Sequence, residues 1–123
     1  MKRADPSTLS TQDLVARFVD IAVQQDRQLD RDDVAKFNKL YHQMAKIVQE
    51  LKARPGDQRR ALIALYDHPN IQVRMTAAVN SLALNYDAAR RVLEAVAGSR
   101  HFPHAGDAGM TLDALDRGIF KPT

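Results

Sequence analysis

Asp67-His68-Pro69-Asn70-Ile71-Gln72-Val73-Arg74-Met75-Thr76-Ala77-Ala78 is the stretch whose reading decides the fold. Proline biases the residue before it away from helical backbone, and asparagine is a favoured first cap, so His68-Pro69-Asn70 stops one helix and starts another. Upstream, Leu62, Leu65 and Tyr66 form an apolar stripe on a helix expected over residues 57–67. Downstream, Val73, Ala77 and Leu84 do the same on a helix expected over residues 71–84. Both stripes carry the helical period. Ala77 and Ala78 are small enough to let another backbone come close. The stretch is therefore a helix, a tight polar turn and a second helix.

Working outward toward the N-terminus, residues 1–9 hold Pro6 and several small polar side chains, which predicts a flexible arm. Ser10-Thr11-Gln12-Asp13 supplies a capping hydroxyl and an acidic first turn. Leu14, Phe18, Ile21 and Ala22 then fall at helical spacing, and Gln24, Gln25, Asp26 and Arg27 read as the wet end of a helix closing near Gln28. Asp30-Arg31-Asp32-Asp33 loads the next helix start with negative charge, with Asp30 as its cap. Val34, Phe37, Tyr41, Met44, Val48 and Leu51 step by three and four residues, a heptad-like seam that Leu40 and Ile47 widen. Such a seam serves either a dimer or a hairpin. Two apolar stripes joined by a short polar turn satisfy each other first, so the hairpin is expected, in a chain that is a monomer or a weak homodimer. Lys36, Lys39, Lys46 and Lys52 form a basic row that reads first as a solvated face.

Arg54-Pro55-Gly56 breaks the chain before the central stretch. Beyond that stretch, Ala89, Val92, Leu93 and Val96 give a fifth helix, over residues 87–97, a buried face, while Arg90 and Arg91 point elsewhere. Gly98 stops it. A loop rich in breakers covers residues 99–106, and a sixth helix starting at Asp107 or Ala108 carries Met110, Leu112 and Leu115 as far as Gly118. Ile119 and Phe120 are expected to fold back on it, ahead of a tail at residues 121–123. The expectation is an all-α chain of about six helices in three antiparallel hairpins, forming a single domain over residues 10–120.

Composition narrows the function classes. A chain of 123 residues can bury a core without staples. With no cysteine there is no thiol catalysis, no cysteine zinc site and no disulfide framework, which suits the reducing cytoplasm, the expected location. Met1-Lys2-Arg3 is not followed by an apolar run, so no secretory signal is read, and no segment approaches the ~18 apolar residues of a membrane span. The net charge of +3, from 18 basic and 15 acidic residues, gives only a small bias toward acidic partners.

The central turn carries a resemblance. His68-Pro69-Asn70 followed by Val73-Arg74 and Ala77-Ala78 is similar to the turn and second-helix opening of a HEAT repeat, with the following leucine displaced to Leu82. With the Gly56-Asp57-Gln58-Arg59-Arg60-Ala61-Leu62 entry and the Asp107-Ala108-Gly109-Met110-Thr111-Leu112 ending, the whole chain resembles a small bacterial HEAT-like family labelled only as a domain of unknown function. The resemblance implies an α-α superhelix without known enzymatic activity or cofactor. It further implies a protein-binding module, with neutralisation of a toxin as an immunity protein being one form of that role.

Candidate sites follow from the same residues. Asp67, His68, Pro69, Asn70, Val73, Arg74 and Ala77 are read as the structural motif, with Arg74 expected in a salt bridge to an acidic residue of the adjacent turn. Arg74, Met75, Asn80 and Asn85 are expected to face outward as the protein-contacting surface, since they mix apolar and hydrogen-bonding character. His101, His104 and Asp107 have the donor types of a transition-metal site, but their spacing lies in a loop that fixes no common direction, and no metal is expected. No nucleophile with a base, phosphate loop or paired-acid motif is present, so no enzyme is expected. Nucleic-acid binding by the basic helix faces is the alternative reading, weakened by the low net charge and the absence of tryptophan.

Overall fold

The structure, a computed structural model, describes residues 4–31 and 33–123. Met1 to Arg3, Asp32 and the side chain of Asp30, the expected cap of the second helix, lie outside the described residues. All the regular structure described is helical. A 3-10 turn at Pro6–Thr8 precedes α1 (Thr11–Arg31) and α2 (Val34–Ala53), a 3-10 helix spans Gln58–Asp67, and α3 (Ile71–Val79), α4 (Tyr86–Ala97) and α5 (His104–Asp116) complete the chain. The chain divides into two compact units, Met1–Ala61 and Leu62–Thr123.

In the first unit α1 and α2 form the expected hairpin. Ser10 caps α1, its hydroxyl accepting the Asp13 N–H at 3.0 Å. The buried stripe of Leu14, Phe18 and Ile21 continues through Gln25 and Gln28, both of which are buried. This is why α1 runs past Gln28 to Arg31: the stretch read as its wet end keeps the three-four spacing and stays on the inner face. Asp33 caps α2, accepting the Lys36 N–H at 3.0 Å, while Asp30 falls within α1.

Leu40, Met44, Ile47 and Leu51 are the buried residues of α2. The seam is thus rotated toward Leu40 and Ile47, and Val34 and Tyr41, expected within it, are 64% and 59% exposed. A helix with more apolar residues than one partner can cover must leave some outside.

Of the arm expected to be flexible or to lie along the surface, residues 4–10 are held down by hydrogen bonds. Asp5 caps the 3-10 turn through the Ser7 N–H at 2.9 Å, and Arg17 donates to the Ala4 carbonyl at 2.7 Å. Arg54, at the end of α2, donates to the carbonyls of Pro6 and Leu9 and to the Thr11 hydroxyl. One guanidinium, with its donors fixed in a planar fork, gathers three acceptors from the arm and the start of α1.

The chain leaves α2 through Gly56 and Asp57, both with positive φ, 78° and 51°. Asp57 then grips Arg59 with both carboxylate oxygens, at 2.9 Å from Nε and 2.6 Å from Nη2. The helix read over residues 57–67 forms, but in the tighter 3-10 winding. Its period of three places Arg59, Leu62 and Leu65 in one row, with Arg59 and Leu62 buried.

In the second unit α3, α4 and α5 all pack on one another. Met75, Ala78, Leu82, Ala89, Leu93, Val96 and Ala108 form its core cluster, and Tyr66, Leu112, Leu115 and Phe120 pack against it. Helix α3 stops at Val79, five residues earlier than expected. Asn80 and Ser81 explain this, since their side chains donate to the Thr76 and Ala77 carbonyls at 2.8 and 2.6 Å and so compete with the helical backbone pattern. Leu82 is buried as the displaced leucine of the motif, whereas Leu84 is 38% exposed.

Helix α5 starts at His104, ahead of the expected start at residues 107–108, after a cis Phe102–Pro103 bond. It ends in a Schellman turn: Gly118, with φ of 70°, donates to the Leu115 carbonyl and Ile119 to that of Ala114. This turn sends Phe120 back onto the core, as expected.

Candidate functional site

The central turn is built by its own polar groups. The Asn70 side chain accepts the N–H groups of Gln72 and Val73 at 2.9 and 3.1 Å, capping α3. His68 faces the turn, its Nδ1 accepting the Asn70 N–H at 3.0 Å. Arg74 reaches back one turn and donates from Nη1 to the carbonyls of His68 at 2.7 Å and Pro69 at 3.1 Å. The expected salt bridge of Arg74 to a neighbouring acid does not form among the described residues. The physical reason is local: the helix before the turn ends with carbonyls unmatched, and they lie nearer the guanidinium than any carboxylate. Asn70, Val73, Arg74 and Ala77 thus serve the turn and the core, with Val73 and Ala77 fully buried.

Beside the turn, within the second unit, lies an open groove of about 490 Å³. Ile63, Tyr66 and Asp67 of the 3-10 helix line it on one side, Arg74 at the head, and Ala88, Arg91, Val92 and Ala95 of α4 on the other. Tyr66 is fixed by its hydroxyl. Ser81 gives its single proton to the Ala77 carbonyl, so Tyr66 donates to Ser81. Burial of this phenol pushes its pKa above the usual value.

The two arginines of α4 do different work. Arg90 is held by Asp116 of α5, Nη1 to Oδ1 at 2.9 Å, with Glu94 at 3.8 Å. Arg91, one residue on and about 100° around the helix, is exposed at the groove edge with no ion pair among the described residues. An apolar floor, two rim guanidiniums and one rim carboxylate make a surface suited to an apolar segment that carries negative charge.

The predicted contact residues do not share one face. Arg74 lies on the groove. Met75 is buried and belongs to the core cluster. Asn80 and Asn85 are half-buried at the C-cap of α3 and the N-cap of α4. An outward face was assumed for a helix that turns out to be central: α3 packs on both α4 and α5 and buries Gln72, Val73, Met75, Ala77 and Ala78. Sequence reasoning missed Arg91 and its neighbours. The signal was the row Ala88, Arg91, Val92 and Ala95 at three-four spacing, set apart from the buried Ala89, Leu93 and Val96.

His101, His104 and Asp107 are not drawn into a ligand set. His104 is buried at the start of α5, His101 and Asp107 are exposed, and no group of three metal-ligating side chains occurs among the described residues. No helix among them is long and apolar enough to cross a membrane.

Comparison with known proteins adds a family and a structural neighbour. The sequence model of the domain of unknown function DUF2019 matches residues 12–116. A crystal structure of the protein RPA1889 from Rhodopseudomonas palustris CGA009 is similar, with 50% sequence identity, a TM-score of 0.93, and coverage of 98% of this chain and 100% of that one. No curated protein matches.

Proposed function

The chain belongs to the family of unknown function DUF2019, and from that premise we propose that it is a non-enzymatic module that binds another protein through the groove between the 3-10 helix and α4. The observation that carries this reading is Arg91, an exposed cation with no ion pair among the described residues, on the edge of a groove that Arg74, clamped to the turn, also lines. A clamped side chain lowers the ordering cost of binding, and an uncompensated guanidinium is a ready anchor for a carboxylate. The partner segment is apolar with acidic side chains. HEAT-like stacking of the helix pairs as an α-α superhelix is the fold-level form of the same proposal, supported by the Val73-Arg74 and Ala77-Ala78 pattern after the turn. Neutralisation of a toxin is one role such a groove could fill.

The test is affinity capture of the tagged chain from its host at moderate salt, with and without nuclease. A single stoichiometric protein that survives nuclease supports the module. Recovery of nucleic acid that vanishes with nuclease, and of no protein, overturns it in favour of binding by the basic helix faces.

A further inference from the structure

Helix α2 has a second apolar face that the hairpin does not use. Val34, Tyr41 and Val48 recur every seven residues, the spacing that keeps side chains along one line when two helices pack at a shallow angle. Val34 and Tyr41 are exposed by well over half and Val48 is half-buried, with exposed Asn38, Ala45 and Lys52 running beside them. The stripe is separate from the groove described above.

Its pattern is self-complementary when reversed. An antiparallel pair of α2 helices related by a two-fold axis beside Gln43 sets Tyr41 against Ala45, a large ring over a small side chain. The same register sets Asn38 against Val48 and Val34 against the stem of Lys52. It also brings the ammonium of Lys52 toward Asp33, the exposed carboxylate capping the partner's helix. Asp33 already accepts the Lys36 N–H, and an added cation there joins an existing anion site. Lys52 forms no ion pair among the described residues. Each contact occurs twice, as an isologous interface requires.

We propose that the chain forms a homodimer through this face of α2, antiparallel and centred beside Gln43. The stripe is short, about 27 Å from Val34 to Lys52 at the helical rise. Its area falls in the small class of interfaces, so the dimer is weak and concentration-dependent.

Sedimentation equilibrium of the full chain tests this. At about 1 μM the mass is that of the 13.8 kDa monomer, and by about 300 μM it approaches twice that value. Tyr41→Lys, at an exposed position that the fold does not need, reduces association at least tenfold with an unchanged circular dichroism spectrum. Because the chain has no cysteine, single-cysteine variants report register cleanly. Tyr41→Cys mixed with Ala45→Cys gives an intermolecular disulfide under mild oxidation, and Val34→Cys alone does not. A chain that stays monomeric at about 300 μM overturns the proposal. So does a dimer indifferent to Tyr41→Lys, or efficient self-crosslinking of Val34→Cys.

Discussion

The two units solve the packing problem with different side chains. The first fills its interface with large ones, Leu14, Phe18, Ile21, Leu40, Met44, Ile47 and Leu51, on two long helices. The second sets Ala78, Ala89 and Ala108 among Met75, Leu82, Leu93 and Val96, on three short helices and the turn that joins two of them. Helices in contact through alanine can approach more closely than helices separated by leucine or phenylalanine. The difference teaches where a binding surface can come from. Long helices leave a stripe over, as α2 does, whereas short helices meeting at a turn leave a recess, as Tyr66, Arg74 and α4 do.

Removing bulk from the first unit is the severest way to break that contrast. Phe18 is fully buried, and Phe18→Ala should cost about 3–5 kcal/mol in urea unfolding, because the space it leaves between α1 and α2 cannot collapse. Adding bulk to the second is the complementary test. Ala78→Leu should cost about 1–3 kcal/mol by forcing α3 away from its neighbours. If that change were neutral, the alanines would not be setting the helix approach.

These cores were readable in part. The helical period gave all six helices, and the turn at Pro69 gave the central break, because proline and an asparagine cap act through local geometry. Boundaries were less readable where side chains compete with the backbone, as Asn80 and Ser81 do at the end of α3. The face of α2 was misplaced because Val34, Leu40 and Tyr41 are all apolar, and sequence alone does not rank them. The contact surface was the least legible part. Arg74 stood out in the sequence because it lies in a motif, and it lines the groove. Met75 was misassigned, because the environment of α3 depends on helices distant in the chain. Arg91 was passed over, because pairing separates it from Arg90 and pairing is a tertiary fact.

Smaller effects sharpen the account of the turns. Asn70→Ala removes the cap on α3 and should cost about 1 kcal/mol in urea unfolding. A neutral result would mean that the Arg74 clamp alone holds the turn.

In the first unit, the hydrogen bond from Arg59 holds the Asp57 carboxyl below its ordinary value of 3.8. A carboxyl whose pKa is lowered on folding contributes stability above the unfolded value and loses it as pH falls through the folded one. Unfolding measured below about pH 4 should therefore be steeper in pH for the wild type than for Asp57→Asn. Identical pH slopes would remove the Asp57–Arg59 pair from the acid response.

The smallest effect on stability belongs to the residue on which the proposed binding rests. Arg91→Glu, at an exposed side chain with no ion pair among the described residues, should change unfolding free energy by less than about 0.5 kcal/mol.

The central claim is tested most directly by measuring the affinity of the captured partner for the wild type and for Arg91→Glu, side by side with their melting temperatures. The account predicts binding at least tenfold weaker for the variant, at an unchanged melting temperature. Equal affinities for the two proteins would contradict it, and would move the binding surface away from the groove.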